Sequence, residues 1–339
     1  MRARSGLSLL AAVLLTAISL PAQTRATGFA GDVERLDPAI DALIPRDARI
    51  EKLAEGFDWA EGPTWRKNGQ YLVFSDIPKN TIYKWKDGEG LSVFLRPSGF
   101  IGPNPPGREL GSNGLTSSPT GALVMADHGN RQVASLDETT FTKTTLADRD
   151  QGKRFNSPND LVFRSNGDLY FTDPPFGLKG LNEDPAKELT VNGVYRVTPS
   201  GSVTLVSEDL RFPNGIAFSP DERTLYVSNS ESTRPIWMAY DVLPDGSLAR
   251  GRVLFDATSL VKQGRTGGPD GMRVDKRGNL FAAGPGGILV LTPQGKHIST
   301  IRTGQPTANC AFGDDGSSLY ITANNQLLRI RLTTTGIGF

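Results

Sequence analysis

The chain has 339 residues, with 37 Lys and Arg against 36 Asp and Glu for a formal charge of +1. That balance, with no basic run, excludes nucleic acid and an anionic membrane surface as expected partners and points to a small molecule. The single cysteine, Cys310, excludes an intramolecular disulfide, and two histidines, His128 and His297, leave little from which to build a zinc site or a serine-hydrolase triad.

At the N-terminus, Arg2 and Arg4 precede an apolar stretch over residues 7–20 and small residues near Ala22. This is the layout of a cleaved secretory signal over residues 1–22, so the chain is expected to be exported, to the periplasm or the medium. A membrane anchor would need about 20 apolar residues, more than the stretch supplies. Residues 23–47 read as an extension. Within it Asp37 and Pro38, followed by Ile40, Leu43 and Ile44, predict one short helix with an Asp cap, packed on the outside.

From residue 48 to 333 one supersecondary unit recurs six times. Each copy opens on a polar anchor followed by an apolar run: Glu61-Gly-Pro-Thr-Trp, Asn113-Gly-Leu-Thr, Asn159-Asp-Leu-Val-Phe, Asn214-Gly-Ile-Ala-Phe, Asp270-Gly-Met-Arg-Val and Asn309-Cys-Ala-Phe. A turn and a second strand follow each, as in Tyr71-Leu-Val-Phe-Ser-Asp and Thr224-Leu-Tyr-Val-Ser-Asn. The anchors lie 52, 46, 55, 56 and 39 residues apart, a spacing typical of propeller blades. The predicted fold is therefore all-β, a six-bladed β-propeller with four-stranded antiparallel blades. The last repeat shows only three strands before the chain stops, and Arg49-Ile-Glu-Lys-Leu is expected to supply the fourth and close the ring. Two insertions, 100–112 and 176–192, are long enough to cover a pocket.

In an antiparallel blade, the loop entering the first strand and the loop leaving the second lie on one face. The anchors therefore share a face with Asp76, Asp127, His128, Asp173, Asn229 and Asn324. Glu61, Asn159, Asn214 and Asp270 together offer two carboxylates and two amide oxygens, a hard-oxygen set suited to one divalent cation such as Ca²⁺, Mg²⁺ or Mn²⁺. A plainer reading is that such residues cap strand boundaries, and that reading is preferred for Asn113 and Asn309. Glu61 and Asp270 are not turn requirements, and converging carboxylates near an axis are costly unless neutralised. His128, on the anchor face, is a candidate for substrate hydroxyls or proton transfer, or else a hydrogen-bonded loop residue; Asp173 and Asn229 are further substrate-side candidates. His297 reads as part of an exposed outer strand.

Taken together, Glu61-Gly-Pro-Thr-Trp, Arg154-Phe-Asn-Ser-Pro-Asn-Asp160, Phe212-Pro-Asn-Gly-Ile-Ala-Phe218 and Gly268-Pro-Asp-Gly-Met272 resemble the SMP-30/gluconolactonase/luciferin-regenerating family of six-bladed propellers. The resemblance spans roughly residues 37–333, and Ala126-Asp-His-Gly-Asn-Arg131 and Thr172-Asp-Pro-Pro-Phe-Gly177 are similar to its bacterial gluconolactonase-like branch. It implies one divalent metal on the axis, often calcium, with Glu61, Asn214 and Asp270 as ligands and Asn159 ligating or binding substrate. Asn156 is the alternative to Asn159, which fits the repeat phase better. The implied activity is hydrolysis of a sugar lactone, with the metal polarising the carbonyl and Asp270 serving as general base or, alternatively, as nucleophile. The competing functions are hydrolysis of another lactone or an organophosphate ester, a non-catalytic metabolite binder, and a scaffold for protein partners.

Overall fold

The computed structural model describes residues 28–105 and 107–339, so the expected signal at 1–22 lies outside the described residues. Six antiparallel sheets follow one another along the chain as blades. Their innermost strands are Ala60–Arg66, Ser112–Ser117, Leu161–Phe163, Pro213–Phe218, Met272–Val274 and Thr307–Gly313. These strands touch their neighbours in the next blade all the way round, sixth to first included. The blades form a closed ring about one axis.

Burial follows from this geometry. A strand inside a blade has a neighbouring blade on each face, so Leu280–Gly284 and Gly287–Leu291 are buried at every position. An outermost strand such as Thr142–Ala147 is largely open to solvent and carries Thr and Lys. Six apolar clusters result, each shared by two consecutive blades. The first-to-sixth junction is aromatic, with Trp65 stacked on Tyr320 at 5.5 Å between ring centres and Trp85 tilted against the same ring at 5.7 Å. Such pairs add about 0.5–1.5 kcal/mol each beyond the area they bury.

The ring closes as the strand count requires. Ile50–Glu55 pairs antiparallel with Gln326–Arg331, so the last blade takes its outer strand from the N-terminal side of the chain. The extension does more than expected. Asp32–Arg35 adds a fifth strand to the fifth blade by pairing with His297–Arg302, and Gly28–Phe29 pairs with Ile50–Glu55 on the sixth. His297 is consequently not on an exposed outer strand. It is half-buried, with Nε2 3.0 Å from Thr300 Oγ1 and its ring against Phe255, and burial lowers its pKa from the ordinary imidazole value.

The expected short helix is a 3-10 turn over Pro38–Ala42, where Asp37 Oδ1 accepts from the Ala39 N–H at 2.8 Å and proline occupies the first turn. It lies outside the blades, yet Ile40, Leu43 and Ile44 are buried over the junction of the fifth and sixth. A second short helix, Thr258–Lys262, and a small ribbon of Arg149–Asp150 with Lys153–Arg154 carried no sequence signal. Deleting residues 48–55 removes the closing strand and the buried Ile50 and Ala54. The expected result is a fall in Tm on the order of 10 °C or loss of a cooperative transition, read by circular dichroism. An unchanged melt would show that the ring does not depend on this strand.

Candidate functional site

The anchors are delivered to the axis by a device repeated from blade to blade. At the end of the second strand of the first, third and fourth blades an acidic or amide side chain accepts from backbone N–H groups just upstream of the same blade's anchor. Asp76 accepts from Asp58 and Trp59 at 3.1 and 3.2 Å, Asp173 from Asn156 and Ser157 at 2.7 and 2.8 Å, and Asn229 from Phe212 at 3.0 Å. One residue earlier, a hydroxyl reaches the next blade: Ser75 Oγ donates to the Asn113 carbonyl at 2.7 Å, Thr172 to Asn214 at 2.6 Å, and Ser228 to Asp270 at 3.0 Å. Where the position is alanine, at 126 and 283, a backbone N–H links the blades instead, Gly114 to the Asn159 carbonyl and Gly271 to that of Ala308, both at 2.8 Å.

Successive anchors are in close contact, which explains the glycine that follows four of them. A Cβ on Gly62 would lie 2.2 Å from the Asn113 carbonyl oxygen, and one on Gly271 would lie 1.9 Å from the Asn309 side chain. These glycines admit the neighbouring anchor, where the sequence suggested turn chemistry.

Glu61, Asn159, Asn214 and Asp270 line one cavity of about 590 Å³ at this end of the axis. Each of three of them has one side-chain atom tied back and one oxygen left over. Glu61 Oε2 accepts from Gly62 N–H at 2.5 Å and from Asn309 Nδ2 at 3.1 Å. Asp270 Oδ1 accepts from Gly271 N–H at 3.0 Å. Asn214 Nδ2 donates to Ser230 Oγ at 2.9 Å, Ser230 in turn donates to the Pro269 carbonyl, and Asn214 Oδ1 is buried without a partner.

The two carboxylates face each other. Glu61 is pushed from 4.5 up to about 7 by burial first and by the charge of Asp160 second. Asp270 is raised well above its ordinary value by burial, then by Glu61 and Asp160, with Glu61 close enough to hydrogen-bond it. Asp160 is a further carboxylate, buried, that the repeat pattern did not single out. Its Oδ2 has no hydrogen-bond partner and lies 3.8 Å from Arg273 Nη1. Arg273 also lines a larger cavity, about 810 Å³, at the opposite mouth of the axis. That second cavity has none of the anchors in its wall and carries no comparable cluster.

An orphaned, buried amide oxygen beside two carboxylates that burial drives toward protonation fits a hard divalent cation. Among the described residues no group of three or more His, Cys, Asp and Glu is arranged for a metal. The set here is two carboxylates with amide oxygens, which favours Ca²⁺ or Mg²⁺ over zinc.

Other expected site residues stand further back. Asp173 and Asn229 are fully buried, engaged in the loop contacts above, and do not line the cavity; burial pushes Asp173 up to about 7 even against its two backbone donors. They position the loops leading to Asn159 and Asn214. His128 is buried behind the wall, between Glu109 Oε2 at 3.1 Å and Asn113 Nδ2 at 3.5 Å. Asn156 donates its amide to the carbonyls of Asp173 and Val191 and to Asn192 Oδ1, while Asn159 reaches the cavity. The boundary reading suits Asn309, whose oxygen accepts from Cys310 N–H and whose nitrogen supports Glu61. It does not suit Asn113, which lines the cavity with an unpartnered oxygen. Both insertions reach the rim: Arg108 and Glu109 come from the first, Phe176 from the second, and Arg108 Nε donates to the Phe176 carbonyl at 2.7 Å. Only the insertion lengths hinted at these residues.

Six antiparallel blades around an axial cluster of carboxylates and amides define a propeller with its candidate site on the axis. The chain belongs to the SMP-30/Gluconolactonase/LRE-like family, whose profile matches residues 59–325. It is 44% identical over 312 residues to a gluconolactonase of Zymomonas mobilis, covering 90% of this chain and 87% of that one. It is 26% identical over 256 residues to the diisopropyl-fluorophosphatase of Loligo vulgaris, covering 72% and 78%. A solved structure of a gluconolactonase from Xanthomonas campestris superposes with a TM-score of 0.80 at 30% identity, covering 94% of this chain and all of that one.

Glu61 and Asp270 bind their protons more tightly folded than unfolded, so between about pH 4.5 and 7 the metal-free native state carries more protons and its stability falls as pH rises. Chelated protein is therefore expected to lose thermal stability from pH 5 to pH 8, and Asp270→Asn to recover it at pH 8 by removing the repulsion. Calcium is expected to stabilise the wild type at pH 8 and not the variant, as read by differential scanning fluorimetry.

Proposed function

We propose that this protein is an exported, metal-dependent lactonase that opens a sugar lactone such as glucono-1,5-lactone. The observation that carries the reading is the pairing of buried Glu61 with half-buried Asp270 in the wall of a cavity open to a small molecule, in a chain 44% identical to a gluconolactonase. A scaffold has no use for two such carboxylates. Export rests on the sequence of residues 1–22 alone.

Glu61, Asn159, Asn214 and Asp270 would hold one divalent cation, Ca²⁺ first. When bound, the cation supplies Lewis-acid polarisation of the lactone carbonyl, worth several kcal/mol of barrier, or several powers of ten in rate. Asp270 Oδ1 is held by the Gly271 N–H, which leaves Oδ2 to take a proton from the attacking water. The water oxygen bonds to the carbonyl carbon, the bond from that carbon to the ring oxygen breaks, and the proton held at Oδ2 passes to the ring oxygen, giving the hydroxy acid. Asn214 keeps its orientation through Ser230, and Arg108 with Phe176 narrows the entrance.

Proton release from glucono-1,5-lactone is expected to require added Ca²⁺ after chelation and to fall about 10³-fold or more in Asp270→Ala. Metal bound stoichiometrically with no turnover on any lactone would favour a binding protein. In single-turnover reactions run in H₂¹⁸O, Asp270 is expected to stay unlabelled; label in its carboxylate would replace the general base with a nucleophile.

A further inference from the structure

Two of the axial amides share one construction. Asn214 is tethered through its nitrogen to Ser230 and leaves its oxygen without a partner. Asn113 repeats this with a different tether: Nδ2 lies 3.5 Å from His128 Nε2, and Oδ1 is buried and unpartnered. His128 Nδ1 in turn lies 3.1 Å from Glu109 Oε2. The Glu109 carboxylate accepts from Nδ1–H, which turns Nε2 toward Asn113 Nδ2. Nε2 accepts from Asn113 Nδ2, which fixes the amide with its oxygen away from the ring; the assignment of the amide follows from this network.

Asn113 and Glu109 both line the cavity, whereas the His128 side chain is completely buried behind them. Glu109 is braced from the second insertion, because its neighbour Arg108 donates from Nε to the Phe176 carbonyl at 2.7 Å and from its backbone N–H to the Gly177 carbonyl at 2.9 Å. One wall of the cavity thus offers acceptors from Asn113 and Glu109, with the Arg108 guanidinium beside them, 3.4 Å from Glu109 Oε1. We propose that Asn113 and Glu109 form an acceptor wall that recognises hydroxyl groups of the substrate, with His128 as the positioning residue, and that this wall selects polyhydroxylated lactones over unsubstituted ones. The proposal rests on the sugar-lactone reading and names the part of the substrate that the site selects.

The test compares wild type, Asn113→Leu, His128→Leu and His128→Gln, the last able to accept from Asn113 and donate to Glu109. The readouts are kcat/KM for glucono-1,5-lactone and δ-valerolactone, Ca²⁺ affinity by calorimetry, and calorimetric binding of gluconate and 5-hydroxyvalerate. In Asn113→Leu the preference for the sugar lactone is expected to fall about tenfold or more, through KM, because a site built to bond a hydroxyl is left without its acceptor. His128→Leu should lose part of the preference and His128→Gln regain it, with Ca²⁺ affinity unchanged in all three. Equal losses on both lactones would overturn the proposal, as would weakened Ca²⁺ binding with unchanged preference, which assigns the Asn113 oxygen to the cation. If the wild type opens neither lactone, the lactonase reading fails and the binding arm decides. A preference for gluconate that Asn113→Leu abolishes supports the wall, and no such preference overturns it.

Discussion

The axial site depends on two carboxylates held against each other in the wall of one cavity. Two unit charges about 4 Å apart repel by roughly 4 kcal/mol at an effective dielectric of about 20, and burial adds a desolvation penalty for each. A chain tolerates this only if a proton or a cation neutralises part of the charge. The raised proton affinities of Glu61 and Asp270 are the protein's response without metal, and the unpartnered oxygen of Asn214 beside them is what a cation would satisfy. Arg273, reaching Asp160 from the opposite cavity, is a permanent positive charge that offsets part of the rise at Glu61.

That crowding is possible because the blades interlock through their backbones. Glycine at 62 and 271 lets one anchor lie against the next, and a hydroxyl or an N–H from one blade takes up an anchor carbonyl of the following blade. Each anchor is thus fixed by two blades. The loops bring in the variable elements, with Arg108, Glu109 and Phe176 shaping the mouth while the floor stays within the repeat.

The repeat made the fold and the floor of the site legible. A period read from the anchors located the six blades, and strand counting located the closing strand, because both are consequences of burying each sheet on two faces. Glu61, Asn159, Asn214 and Asp270 were readable because the phase of the repeat placed them at one end of the axis. The same phase put Asp173 and Asn229 on this face without giving their depth, and both side chains turn back into their own loops. Asp160 and Arg273 were missed because their contact joins blades three and five, a relation that no local pattern encodes. Asn113 looked like a strand boundary because nothing in sequence ties position 113 to positions 109 and 128.

Ring closure also shapes how the molecule comes into being. The strand Ile50–Glu55 is made long before its partner Gln326–Arg331, so Ile50 waits for Ile330. Such a long separation raises contact order and slows the final step. Until then both flanks of the gap expose strand edges and an aromatic junction that Tyr320 has not yet filled. Closure of the ring joins the two ends of the repeat and brings the sixth anchor, Asn309, against the first, Glu61.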